Sequence, residues 1–133
     1  MQRILLVEDS PTQAYATTRV LKRNGYEVIV ADNGMDAIAY AKAYSPDLII
    51  MDVVMPGASG FQATREISRR PETADIPIVM LTSKDEVTDK LWAFRQGAMG
   101  YLVKPVDEQE LLVTVENLLN ITPMEMDDVL EAC

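Results

Sequence analysis

Histidine is missing altogether from the 133 residues. Its absence removes Ser/His/Asp triads, histidine-ligated zinc and any phosphohistidine within the chain. Cysteine occurs once, as Cys133. No internal disulfide can form, and a reducing, cytoplasmic location is expected. Apolar runs such as "LIIM" and "IVML" stop far short of the roughly 18 residues of a membrane span, and no long apolar segment opens the chain, so membrane insertion is not expected. Basic residues are scarce: 12 Lys and Arg face 21 Asp and Glu, a formal charge of -9. Binding to nucleic acid is not expected of such a chain, which suits a basic partner or a multivalent cation. Its chemistry must run on carboxylates, hydroxyls and lysines.

What is present has the proportions of one ordinary soluble domain: 48% hydrophobic and 25% charged residues, enough for a single core. Five short apolar runs, "RILLV" (3–7), "YEVIV" (26–30), "DLIIM" (47–51), "IPIVML" (76–81) and "YLV" (101–103), alternate with helical patterns. Several are continuously apolar, as parallel strands buried on both faces are. The helices carry boundary signals. Ser10, Pro11 and Gln13 supply a cap, a first-turn proline and a capping-box glutamine, and Gly25 closes that helix. Asn33 caps a second helix carrying Ala37, Ala41 and Tyr44, ended by Ser45-Pro46, and Ser59 opens a third. Val87, Leu91, Phe94 and Ala98 form a core stripe for a fourth, with Trp92 packed partly buried beside it. Asp107 and Glu110 mark the start of a fifth, bearing Leu111, Val115 and Leu118. Right-handed crossovers then favour an α/β fold, a doubly wound five-stranded parallel sheet in the order 2-1-3-4-5 with five helices.

In that order the topological switch lies between the first and third strands, and ligands bind at the carboxyl ends there. Those ends read Glu8-Asp9 and Asp52. Three converging carboxylates repel one another unless a hard divalent cation sits among them, and magnesium suits an all-oxygen donor set with room for water and a phosphoryl oxygen. The bland alternative is a solvated Glu8 and a helix-capping Asp9. The fourth and fifth strands end in Thr82-Ser83 and Lys104-Pro105 at the same edge. A hydroxyl and an ammonium beside carboxylates can grip a phosphoryl group, although a helix cap and a structural ion pair would explain each singly.

These residues carry a resemblance. Over residues 3 to about 119 the chain resembles the CheY-like receiver domains of two-component response regulators, through "VEDSP", "MDVVMPGASGF", "MLTSKD" and "GYLVKPV" in that order and spacing. The stretches "GFQATR", "TDKLWAFRQGA" and "KPVDEQELL" are similar to the PilH-type regulators of type IV pilus twitching motility. The resemblance implies that Asp52 accepts a phosphoryl group from a CheA-like histidine kinase. It implies that Glu8, Asp9, Asp52 and the Val54 carbonyl hold Mg2+, and that Thr82 and Lys104 contact the phosphoryl group. It further implies that Tyr101 acts with Thr82 as the switch, and that the Lys104-Pro105 peptide is cis. The output face would be the fourth helix, fifth strand and fifth helix, including Lys90, Tyr101 and Val103, acting on a downstream protein target. The chain would catalyse only its own phosphorylation and dephosphorylation.

Residues 1–120 are read as the receiver and 121–133 as a disordered acidic tail, with a docking turn as the alternative. A monomer is expected, with output by protein contact since no effector domain follows. Val54 and Lys84, two positions beyond Asp52 and Thr82, offer no acceptor to a hydrolytic water, which implies slow loss of the phosphoryl group. A dehalogenase-type phosphatase would need an acidic residue where Val54 stands, and neither a P-loop nor a hydroxyl-rich flavin-phosphate loop follows the first strand. Two rival readings survive: a phosphate sink for the pathway kinase, and a constitutive scaffold with an unused site.

Overall fold

In the computed structural model, residues 2–55, 59–83 and 87–120 are described. The elements are β1 Arg3–Val7, α1 Pro11–Arg23, β2 Glu27–Ala31, α2 Gly34–Tyr44, β3 Leu48–Met51, α3 Gly60–Arg69, β4 Ile78–Thr82, α4 Val87–Gln96, β5 Gly100–Val103 and α5 Glu108–Leu119. The strands pair in parallel in the order β2-β1-β3-β4-β5. The expected order and helix count are those observed. The expected 121–133 tail lies outside the described residues.

Alternation along each strand divides the interior in two. Leu5, Val7, Ile49, Met51, Ile78 and Met80 face the layer that includes Ala37 and Ala41 of α2, Ala63 and Ile67 of α3 and Ala93 of α4. Ile4, Leu6, Leu48, Ile50, Val79 and Leu81 face Ala14 and Leu21 of α1 and Leu111, Val115 and Leu118 of α5. Burial on both faces is why these runs are continuously apolar rather than alternating in polarity. β1, β3 and β4, the three central strands, are almost wholly buried.

Helix α4 departs from expectation. Leu91 and Phe94 do not form a core stripe: they are 56% and 48% exposed, and Trp92 is 49% exposed. Ala98 is buried but lies beyond the helix, whose inward residue is the fully buried Ala93. The rotation is set by close approach. Gly97, at φ +115°, sits so tightly against Ser68 of α3 that a Cβ there would collide with the serine side chain. Small residues carry the packing, and the large apolar ones are turned to solvent.

The caps differ in detail from their sequence signals. Ser59 and Gln62 make both bonds of a capping box at α3, and Asp107 accepts from Glu110 N–H at α5. At α1, Ser10 Oγ accepts from Gln13 N–H at 3.3 Å, yet the Gln13 side chain does not return to Ser10. Ser10 N–H donates instead to Glu8 Oε2, also at 3.3 Å, leaving the Gln13 amide for another partner.

Gly60 connects the fold to the edge where the carboxylates gather. Its N–H donates to the Val53 carbonyl at 2.9 Å, and a Cβ built on it would run into the Asp52 carbonyl. Gly60→Ala must therefore push α3 or the β3 end aside. A loss of about 1–3 kcal/mol is expected, typical of overpacking, measured by urea unfolding against wild type.

Candidate functional site

The sheet order places the ends of β1 and β3 side by side, and backbone bonds hold them there. Asp52 N–H donates to the Val7 carbonyl at 3.0 Å, and Glu8 N–H donates to the Ala31 carbonyl at 2.9 Å. The chain leaving each strand thus aims a carboxylate at the same point. Glu8 and Asp52 are 5% and 7% exposed, while Asp9 faces solvent. One carboxylate oxygen from each lies within 4.8 Å of the others, a purely oxygen donor set of the kind that holds a hard cation. Asp52 Oδ1 also accepts from Val54 N–H at 3.3 Å.

Lys104 reaches this cluster from β5. Its backbone N–H donates to the Thr82 carbonyl at 2.8 Å, and the peptide that follows, Lys104-Pro105, is cis. Its ammonium pairs with Glu8 Oε1 and, at 3.3 Å, with Asp52 Oδ2. A third bond, 2.5 Å to Gln13 Oε1, completes the set. An ammonium has three N–H groups, and here each has an acceptor.

Burial pushes the Glu8 carboxyl above its ordinary range, and the neighbouring Asp52 charge pushes it the same way. The hydrogen bonds from Lys104 and Ser10 N–H and the Lys104 charge pull it back only in part. A carboxyl raised on folding makes the ionised folded state less stable above the unfolded-chain pKa, so the site is assembled against the fold's own preference.

An open groove of about 610 Å³ contains the cluster, walled by Ser10, Gln13 and Thr17 of the α1 side and by Pro105 and Val106. Leu81 and Ser83 also line it, while Thr82 between them is fully buried. Val54 stands at the rim, 55% exposed. Tyr101 pairs with Met80 and is partly buried against the α2–α3–α4 layer, and Val103 pairs with Thr82. The structure therefore brings together Glu8, Asp9, Asp52, Val54 and Lys104. It sets Thr82 one residue behind the wall and Tyr101 further back. Lys84 lies outside the described residues. Asp9 is not the helix cap, since Ser10 has that place.

The response regulator receiver domain family matches residues 4–116. The chain belongs to that family. It is 50% identical over 119 residues to Protein PilH of Pseudomonas aeruginosa, covering 90% of this chain and 98% of that one. Among solved structures, Vibrio cholerae chemotaxis protein CheY4 superposes with a TM-score of 0.84 at 34% identity, over 89% of this receiver and 98% of that chain. The receiver domain of the Pseudomonas aeruginosa sensor histidine kinase PA1611 gives 0.83 at 32% identity, over 89% and 97%, and that protein has magnesium coordinated in its active-site cleft.

The residue that sequence reasoning missed is Gln13. Its Ser-x-x-Gln spacing fits a capping box, which explains the side chain locally and conceals its reach to Lys104. Two substitutions separate the roles of the charged groups, both measured in magnesium-free buffer. Lys104→Met leaves two buried carboxylates unpaired and is expected to lower stability by about 1–3 kcal/mol. Asp9→Ala removes an exposed like charge that caps nothing, and is expected to unfold at the wild-type urea midpoint or above it.

Proposed function

We propose that this receiver is a phosphorylation switch in which Asp52 accepts a phosphoryl group from a histidine kinase. The observation that carries the reading is the ammonium of Lys104 lying between Glu8 and Asp52, at a sheet edge that also bears Asp9 and Thr82. The acidic trio fits Mg2+, with the Val54 carbonyl as a further ligand, and the cation would supply charge neutralisation to the phosphoryl oxygens. An Asp52 carboxylate oxygen attacks phosphorus, and the bond from phosphorus to the donor's imidazole nitrogen, or to the oxygen of a small acyl phosphate, breaks with its electron pair leaving on the donor. Lys104 stabilises a phosphoryl oxygen as it does so. The product is an acyl phosphate on Asp52, which water can hydrolyse. The chain alters only itself.

Readout uses Thr82 and Tyr101. A hydrogen bond to the phosphoryl group draws Thr82 forward, and Tyr101 on the neighbouring strand turns into the space behind it. The responding face is α4, β5 and α5, where Lys90 and the exposed Leu91, Trp92 and Phe94 lie on α4. Eight acidic residues and no lysine or arginine follow Lys104 in the sequence, which favours a downstream target with a basic surface. Similarity to PilH supports a chemosensory or type IV pilus twitching pathway with a CheA-like kinase as donor.

Asp52→Asn is expected to abolish hydroxylamine-sensitive labelling by a small acyl phosphate with magnesium; labelling at the wild-type level would reject Asp52 as the acceptor. The lifetime of the label follows from Val54, whose aliphatic side chain at the groove rim cannot hold a water in line with phosphorus. Val54→Asn, alone or with Lys84→Glu, is expected to release phosphate about three- to tenfold faster than wild type once the donor is removed. Equal rates would favour a phosphate-sink role.

A further inference from the structure

We propose that Gln13 is a positioning residue for Lys104, a neutral acceptor that keeps the ammonium at the mouth of the groove while its bond to Asp52 is exchanged for one to a phosphoryl oxygen. This rests on the phosphorylation reading above and concerns the part of it that the acidic residues do not explain.

All three N–H groups of Lys104 are engaged: by Glu8, by Asp52 at 3.3 Å and by Gln13 at 2.5 Å. To contact a phosphoryl oxygen the ammonium must release one of them. The Asp52 bond is the one it would give up, because a group arriving on Asp52 occupies the same space. Gln13 lies on α1, apart from the strand ends that carry the carboxylates, and its bond can survive that exchange. Without it, the ammonium would be held by two charged acceptors alone and would settle further into the carboxylate cluster.

The chemistry of the side chain matters as much as its reach. Glu8, Asp9 and Asp52 already crowd three negative charges into one site. An amide oxygen holds an ammonium without adding a fourth, so Lys104 is tethered but not trapped. The amide is free to do this because its capping duty is absent: Ser10 N–H, the partner it would have had in a capping box, is taken by Glu8 Oε2. One carboxylate thus bonds the ammonium through one oxygen and frees the amide through the other.

The test uses the full chain with magnesium and a small acyl phosphate, following the rate of Asp52 labelling against donor concentration. Gln13→Leu is expected to lower the limiting rate about three- to tenfold, because part of a charge-assisted hydrogen bond is lost, while the half-saturating donor concentration stays unchanged. Gln13→Glu is expected to slow labelling as well, by tying the ammonium to a fourth carboxylate. In a Lys104→Met background Gln13→Leu should have no further effect, since Gln13 acts through the lysine. A readout without phosphorylation accompanies these: acylation of Lys104 by an amine reagent in magnesium-free chain, scored by peptide mass. Gln13→Leu should lower labelling at Lys104 alone. Wild-type rates in both assays, or losses that multiply in the double variant, would overturn the proposal. Wild-type chain that takes no phosphoryl label sinks the switch itself, and the acylation result then still reports whether Gln13 restrains Lys104.

Discussion

Two carboxylates of like charge, Glu8 and Asp52, are buried within reach of a single ammonium, and the rest of the edge is arranged to make that tolerable. At about 4 Å, two unit charges in a partly buried setting interact with a strength of roughly 4 kcal/mol, a large share of what holds a small domain together. The repulsion cannot be relaxed by moving the residues, because each is fixed by a backbone bond to a neighbouring strand. It must be met by positive charge. Lys104 meets it from β5, two strands away from β3, and that long reach is what makes the sheet order matter for the chemistry.

The arrangement has a price in stability, visible in the raised Glu8 carboxyl, and the rigid sheet bears it. Functional sites commonly hold groups that the fold alone would not choose. Here the central strands are closed on both faces by apolar side chains, so the edge can carry an unfavourable cluster without loosening. Thr82 and Val103 are paired partners, and Lys104 is the next residue along, its N–H held by the Thr82 carbonyl.

Much of this is legible in the amino-acid sequence. Unbroken apolar runs gave away a parallel sheet, and once the strand order was set, Glu8, Asp9, Asp52, Thr82 and Lys104 had to share an edge. Strand limits moved by a residue or so, as with Glu27–Ala31, because ladder pairing and not hydropathy decides where a strand stops. Two features were not legible, for different reasons. In α4 the large apolar residues looked like the core face, but Gly97 against Ser68 and the small Ala93 determine the helix's rotation, and periodicity cannot weigh a close approach against hydrophobic area. In α1 the serine-glutamine spacing had a sufficient local explanation, and only the competing bond from Ser10 N–H to Glu8 shows that the explanation fails.

The exposed side of α4 and the crowded edge are two results of one economy of space. Small residues, Gly60 at the Asp52 carbonyl and Gly97 at Ser68, let the helices close on the sheet where side chains would otherwise keep them off. At Gly60 the consequence is a carboxylate held firmly enough to be set against another. At Gly97 it is a close approach to α3, with Leu91, Trp92 and Phe94 left on the exposed side of α4. Three large apolar side chains on one short helix are more than scattered surface residues, and an exposed group of that kind is characteristic of a contact surface. Those side chains contribute little to the core they stand on, which rests instead on Ala93 and the close approach at Gly97.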